Sequence, residues 1–301
     1  MTRFTIQPIN TNFAAEVFDI DLSKKLSNED IDLIKEAFWK YAVLVFPDQN
    51  LSLDQHVDFA TLFGPIEMNV NTYQEEVKKH RFDYRVSDIS NLDEEDNILS
   101  ENSRKRMSGL ANRLWHTDSI FRHTPALASA LYALTIVPIG GKTEFADTRA
   151  AWDALPDIMK NKIEKLIVEH SIFHSRAKIG FTNFTEKERA ALPPSRQVLI
   201  RTIPENQRKA LYIASHAMRI IGMSDHEGST LLDELMTHAT QSQFVYSHRW
   251  RVGDLVIWDN RCTLHRGTDY DEKRFKRDMR RATVSDVGNS VELTFGSLEA
   301  S

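Results

Sequence analysis

His116 and Asp118 are two residues apart in Leu114-Trp115-His116-Thr117-Asp118-Ser119. In an extended segment, side chains two apart share a face, so the pair can project into one cavity while Thr117 turns away. The spacing predicts a two-point clamp for a metal ion. A third ligand is available in Leu264-His265-Arg266-Gly267, just beyond the strand-like run Asp254-Leu255-Val256-Ile257-Trp258-Asp259. Two imidazoles and one carboxylate on one side of a metal leave the opposite positions open, an arrangement suited to non-haem Fe(II) that activates oxygen. A His-x-Asp tripeptide alone says little, so its weight must come from the surroundings.

The surrounding elements are mostly short strands with interspersed helices. A strand is expected over 4–8. Ser27-Asn28-Glu29-Asp30 caps a helix whose Ile31, Ile34, Phe38 and Tyr41 form one stripe, and a buried strand over 42–46 stops at Pro47. A second helix is capped at Ser52 to Gln55 and ends at Gly64-Pro65. From 67 to 111 the chain is polar and irregular, with an acidic patch at Asp93-Glu94-Glu95-Asp96 and a basic one at Arg104-Lys105-Arg106. A segment of that length beside the metal clamp is expected to be a lid or insertion.

A strand over 127–137 is expected to set Ala128, Ala130, Tyr132 and Leu134 on one face, before Pro138 and Gly140-Gly141 turn the chain. Helical pieces are expected over 145–155 and 156–168, and paired strands over 198–201 and 211–214. Ser224-Asp225-His226-Glu227 opens a helix bearing Leu231, Leu232, Leu235 and Met236, and strands return over 244–250, 255–258 and 280–284. This pattern lacks βαβ alternation and predicts a mostly β fold with flanking helices, a double-sheet jelly roll.

Composition narrows the function. With 301 residues and no linker-like break, one domain spanning 1–301 is expected. A net charge of -5 leaves no electrostatic footprint for nucleic acid. No apolar run is long enough to span a membrane, and the single cysteine, Cys262, fits a reducing compartment, so a cytoplasmic location is expected. Cys262 near His265 reads as a small packed hydrophobe rather than a nucleophile.

Four stretches then occur together: 112–121, Gly140-Gly141-Lys142-Thr143-Glu144-Phe145-Ala146-Asp147, Trp258-Asp259-Asn260-Arg261-Cys262-Thr263-Leu264-His265-Arg266-Gly267, and 277–283. In order and spacing they closely resemble the taurine and chlorophenoxyacetate dioxygenase family, from about residue 4 to about residue 287. Arg149-Ala150-Ala151-Trp152-Asp153-Ala154-Leu155-Pro156 and Phe244-Val245-Tyr246-Ser247-His248-Arg249-Trp250 look like the members that cleave chlorophenoxyacetate. The resemblance implies a double-stranded β-helix of cupin type, with Fe(II) held by His116, Asp118 and His265, and with 2-oxoglutarate and O2 as co-substrates. Arg277 matches the arginine that holds the distal carboxylate of 2-oxoglutarate, Thr143 its hydroxyl donor, and Trp258 a wall of the iron site. A guanidinium fork suits a carboxylate in a way that lysine does not reproduce. Arg281 matches an arginine that meets the substrate's anionic group, and Ser119, His216, Arg219 and Asn112 are further candidates for the substrate pocket.

The reaction so implied is hydroxylation of a small anionic substrate, with 2-oxoglutarate converted to succinate and carbon dioxide. Asp118 favours hydroxylation, because related halogenases leave that position open for chloride. An aryloxyalkanoate acid, cleaved to a phenol and an oxo acid, is the expected substrate, in a catabolic role. Two departures leave other acids open: 67–73 contains no Lys or Arg, and Ile203 stands where some relatives have a histidine. A sulfonate, an N-substituted amino acid or a natural-product carboxylate are the alternatives. Two rival classes remain, a non-oxidative cupin-like metalloenzyme and a non-catalytic binding protein. A homo-oligomer is compatible with the sequence, although no stripe marks a self-association face.

Overall fold

The computed structural model describes residues 4–68 and 80–296. The antiparallel pair β1 (Thr5–Pro8) and β2 (Ala15–Phe18) opens the chain, followed by α1 (Asn28–Tyr41), β3 (Val43–Phe46) and α2 (Leu53–Thr61). Both helices begin with the expected capping boxes, Ser27 with Asp30 and Ser52 with Gln55, each satisfying backbone donors that the first turn leaves free. Next come β4 (Val86–Asp88), α3 (Arg104–Gly109), β5 (Ala126–Thr135), β6 (Thr143–Asp147), α4 (Thr148–Asp153), α5 (Asp157–Ile163) and β7 (Ile167–His170). The middle of the chain holds α6 (Ile172–Ala177), α7 (Glu186–Ala191), β8 (Ser195–Val198), β9 (Ile200–Thr202), β10 (Lys209–Leu211), β11 (Ala217–Ile220) and α8 (Asp225–Ala239). Strands β12 (Val245–His248), β13 (Leu255–Asp259), β14 (Thr263–Gly267) and β15 (Asp278–Ser285) precede the short α9 (Ser290–Phe295).

A seven-stranded sheet in the order β1-β2-β3-β13-β5-β15-β4 forms one wall of the jelly roll. Smaller sheets, β12-β6-β14, β11-β7-β8 and β10-β9, stand opposite. Strand periodicity sorts the side chains of the large sheet. Leu44, Phe46, Leu255, Ile257, Ala130 and Tyr132 pack outward with Ile34 and Phe38 of α1 and Val57 and Phe59 of α2. Their neighbours Val43, Val45, Val256, Trp258, Leu131 and Ala133 point into the sandwich, where Phe145, Ile203 and Ala210 meet them. Each Val, Leu, Ile or Phe side chain among them contributes about 1.5–3 kcal/mol on removal from water. A third cluster seats α4 and α8 against the small sheets through Trp152, Leu231, Leu235, Val168 and Leu264.

Several local expectations are corrected. β5 sets Ala128, Ala130, Tyr132 and Leu134 on one face as expected, but it ends at Thr135 and not at 137, and both its faces are buried over most of its length because it lies between β13 and β15 with helices outside and a second sheet inside. Residues 145–147 belong to strand β6, and the helix begins only at Thr148, where the Asp147 carboxylate accepts from the Arg149 and Ala150 amides. The second helical piece ends at Ile163 and the chain re-enters a sheet as β7. Strand β14, which carries His265, had no sequence signal of its own. Within 67–111, residues 69–79 lie outside the described residues. The remainder is less irregular than expected, since β4 pairs antiparallel with β15 and α3 follows. The basic run makes three separate ion pairs: Arg104 with Glu188 (2.7 Å), Lys105 with Asp88 (2.7 Å) and Arg106 with Glu272 (2.6 Å).

Candidate active site

His116 lies in a loop that makes a single antiparallel bridge to β14. The His116 amide donates to the His265 carbonyl (3.0 Å) and the His265 amide to the His116 carbonyl (2.7 Å). Residues paired in this way present side chains to the same face, and the two rings lie 4.1 Å apart between centroids. Asp118 projects into the same space, with carboxylate oxygens 4.0 Å from His116 Nε2 and 3.7 Å from His265 Nε2. One ligand atom from each residue lies within 4.8 Å of the others, and all three residues are buried. Thr117 turns away as expected, its hydroxyl donating to the Asn260 carbonyl at 2.6 Å.

Protonation suits a cation. His116 Nδ1–H donates to the Leu114 carbonyl (2.8 Å), which leaves Nε2 with its lone pair. Burial pushes both imidazoles below their ordinary range, His265 well below it. Burial alone would raise the Asp118 carboxyl, but the Arg281 guanidinium and the two histidines hold it below the ordinary value. Arg281 Nη1 donates directly to Asp118.

Asn260 organises this cluster and was not singled out from the sequence. Its Oδ1 accepts from the Asp118 amide (3.1 Å), Trp258 Nε1 (2.9 Å) and the Thr117 hydroxyl (3.2 Å). Its Nδ2 donates to Ser129 Oγ (3.0 Å), which donates to Asp118 Oδ2 (2.7 Å). One carboxamide thus fixes both the backbone and, through Ser129, the carboxylate of Asp118.

Two cavities meet at the cluster. The first, about 160 Å³, is lined by His116, His265, Trp258, Thr143, Arg277 and Arg281 among others. Trp258 lies against His265 with ring centroids 4.7 Å apart. The Thr143 hydroxyl accepts from Trp250 Nε1 (3.0 Å), which leaves its own proton to donate. Asn91 shapes the loop delivering Arg277: its Oδ1 accepts from the Arg277 amide (2.8 Å), and its Nδ2 donates to the Glu272 and Phe275 carbonyls, both at 2.9 Å. Among the described residues no carboxylate pairs with the Arg277 guanidinium, and burial pulls its pKa down. A buried cation without a counter-charge is costly, so this cavity is built for an anion. Gly140 turns the chain beside it at φ +78°, where a Cβ would lie 2.3 Å from the Asp269 carbonyl oxygen, so only glycine fits.

The second cavity, about 340 Å³, reaches the cluster from the other side through His116, Asp118, Ser119, His216 and Arg281. Phe121, Phe173 and Phe184 also line it, Phe173 and Phe184 with ring centroids 4.7 Å apart. Ser119 adopts φ 52° and donates to Glu67 Oε1 (2.7 Å), while His216 packs 5.0 Å from the Phe121 ring. Asn112 lines both cavities. Arg219 does not join them: on β11 it faces Glu169 of β7 and pairs with it at 2.9 Å, half-exposed. The expectation that it reaches the pocket is therefore set aside. Ile203 is wholly buried in the sandwich and lines neither cavity, so that departure does not touch the pocket. Cys262 is buried too, and burial pushes its thiol well up, in keeping with a packed hydrophobe.

The donor set and its anion-ready cavity fit a metal with a carboxylate co-substrate. Comparison with known proteins agrees: the chain is a 2-oxoglutarate-dependent non-haem iron dioxygenase on a jelly-roll frame. Within that class it belongs to the taurine catabolism dioxygenase TauD, TfdA family, whose model matches residues 5–283. It is 44% identical over 283 residues (93% of this chain, 96% of the relative) to the alpha-ketoglutarate-dependent 2,4-dichlorophenoxyacetate dioxygenase of Cupriavidus pinatubonensis. It is 34% identical over 276 residues (89% and 90%) to the (S)-phenoxypropionate/alpha-ketoglutarate-dioxygenase of Sphingobium herbicidovorans. Among solved structures it resembles AAD-2 in complex with Mn(II) and N-oxalylglycine, with a TM-score of 0.88 and 44% identity over 97% of this chain and 99% of that one. Among the described residues no helix is long and apolar enough to cross a membrane.

Proposed function

We propose that this chain hydroxylates an aryloxyalkanoate acid at the carbon bearing the ether oxygen, giving a hemiacetal that collapses to a phenol and an oxo acid. The observation that carries this reading is the second cavity, which the rings of Phe121, Phe173 and Phe184 line together with cationic and hydroxyl groups beside the His116, Asp118 and His265 cluster. An aryl ring against these rings would leave the carboxylate, one carbon from the reacting C–H, to the cationic groups. The dioxygenases named for 2,4-dichlorophenoxyacetate and (S)-phenoxypropionate support the same substrate class.

His116, Asp118 and His265 would hold Fe(II), which supplies the redox chemistry coupling oxygen and 2-oxoglutarate consumption to substrate oxidation. Arg277 receives the distal carboxylate of 2-oxoglutarate, Thr143 donates its hydroxyl proton to it, and Trp258 walls the site from water. Arg281, Ser119, His216 and Asn112 orient the primary substrate. In one catalytic domain, the described part of 67–111 acts as a cover, because Asp88, Lys105 and Gly109 border both cavities.

The test is aerobic succinate formation by the Fe(II)-loaded protein with 2,4-dichlorophenoxyacetate, an aryloxypropionate, taurine and N-substituted amino acids, with His116→Ala as the control. Succinate and phenol released in equal amounts support ether cleavage. Succinate coupled to another acid replaces the substrate, and no metal-dependent succinate with any of them defeats the reading.

A further inference from the structure

We propose that Arg176 is a second substrate-binding cation, gripping the substrate carboxylate together with Arg281. This rests on the reading that the primary substrate is a carboxylic acid. Arg176 lies in the last turn of α6 and lines the second cavity with Arg281, His116 and Asp118. Two hydroxyls aim it: Nε donates to Ser108 Oγ (3.4 Å) and Nη1 to Ser175 Oγ (3.1 Å). Its Nη2 has no hydrogen-bond partner among the described residues.

The charges around the cavity single it out. Arg281 is paired with Asp118, Arg122 with Glu67 at 3.4 Å, Arg104 with Glu188, and both Arg81 and Lys105 with Asp88. Among the described residues lining this cavity, Arg176 is the arginine or lysine with no carboxylate within ion-pair distance. Burial, with Arg281 nearby, pulls its guanidinium down to about 10, the response of a cation short of a counter-charge. Arg281 already commits an N–H to Asp118, which leaves less of its fork for a substrate anion. Arg176 supplies the uncompensated charge, and it does so at the metal end, where it also acts on His116 and His216. An aryloxyacetate carries its carboxylate one carbon from the oxidised position, so its counter-charge is needed there. The missing Lys and Arg in 67–73 are thereby made good from α6.

The test measures binding without turnover, by calorimetry on Mn(II)-loaded, 2-oxoglutarate-saturated protein under anaerobic conditions. Ligands are 2,4-dichlorophenoxyacetate and its neutral amide. Arg176→Gln is expected to weaken the acid about 10- to 100-fold, the worth of a charge-assisted hydrogen bond, while the amide changes less than about 3-fold on the same scale. Arg176→Lys, which keeps the charge without the fork, should recover part of the loss. The Kd for 2-oxoglutarate should not move, which also reports an intact fold. Equal loss for acid and amide, or an unchanged acid, overturns the proposal. If wild-type protein rejects aryloxyacetates but binds taurine or another acid of the panel, the substrate reading alone fails, and the same two variants measured with that acid decide Arg176. Wild-type protein that binds no acid at all overturns both.

Discussion

Replacing Asn260 with alanine removes the group on which the geometry of Asp118 depends. The carboxamide is 1% exposed and accepts from the Asp118 amide and the Trp258 indole while donating to Ser129. Its loss strands two buried N–H groups, each costing about 1–3 kcal/mol when unsatisfied, so the metal-free protein should lose roughly 2–6 kcal/mol on that basis. Ser129 also loses the donor that orients it toward Asp118 Oδ2. Loss of such an outer contact typically weakens metal binding about 10- to 100-fold. Two assays separate the effects: urea unfolding of the metal-free protein, and competition titration of Mn(II) against a chelating dye. Asn260→Asp serves as a comparison, because it retains the acceptor oxygens while removing the Nδ2 donor and placing a second carboxylate beside Asp118. If Asn260→Ala keeps its stability within about 0.5 kcal/mol, the ordinary range for an inconsequential surface change, and its metal affinity within twofold, the carboxamide is not the organiser argued here.

Arg277→Lys should weaken 2-oxoglutarate about 10-fold or more, because an ammonium cannot form the bidentate fork, while Mn(II) binding is unchanged; calorimetry with each ligand reads both. Acid sensitivity should come from the buried histidines: His56 and His170, both fully buried and both held down to about 3 by burial, and His216 and His265, which burial holds well below the ordinary range. Unfolded histidines take up protons near pH 6.5 and these folded ones do not, so stability falls as pH drops below 6.5 and continues to fall until about 3. Between pH 7.5 and 5.5 each should cost about 1.4 kcal/mol. Urea midpoints at the two pH values test this, and His56→Gln, which can still donate to the Ala130 carbonyl that His56 Nε2 meets at 2.9 Å, should reduce that fall by the share of one histidine, about 1.4 kcal/mol.

Much of the site could be read from the sequence because its signals are local. His116 and Asp118 share a face by the two-residue repeat of extended chain, and Ser27, Ser52 and Ser224 announce helix starts through contacts three residues away. The resemblance supplied Thr143, Trp258, Arg277 and Arg281, all of which reach one of the cavities. Residues 145–147 are ambiguous in sequence because a short apolar run reads equally as strand or helix, and only pairing with β12 and β14 decides. His265 owes its place to β14, a strand whose evidence lies in β6 and in the bridge to His116.

Asn260, Ser129 and Arg176 had no signal at all. A buried carboxamide, a serine in an alanine-rich strand and an arginine on a six-residue helix look ordinary in one dimension. Their roles arise from partners far along the chain, Asn260 reaching Thr117 across 143 residues and Arg176 reaching Ser108 across 68. Arg219 shows the converse, since a plausible position in sequence turned out to face Glu169 on the neighbouring strand. Sequence alone determined which chemical groups were available and the local periodicity that aims them. The tertiary structure decided which charges were already neutralised and which stayed unpaired, because an electrostatic balance depends on distances through space and on exclusion of water, and neither is written in residue order.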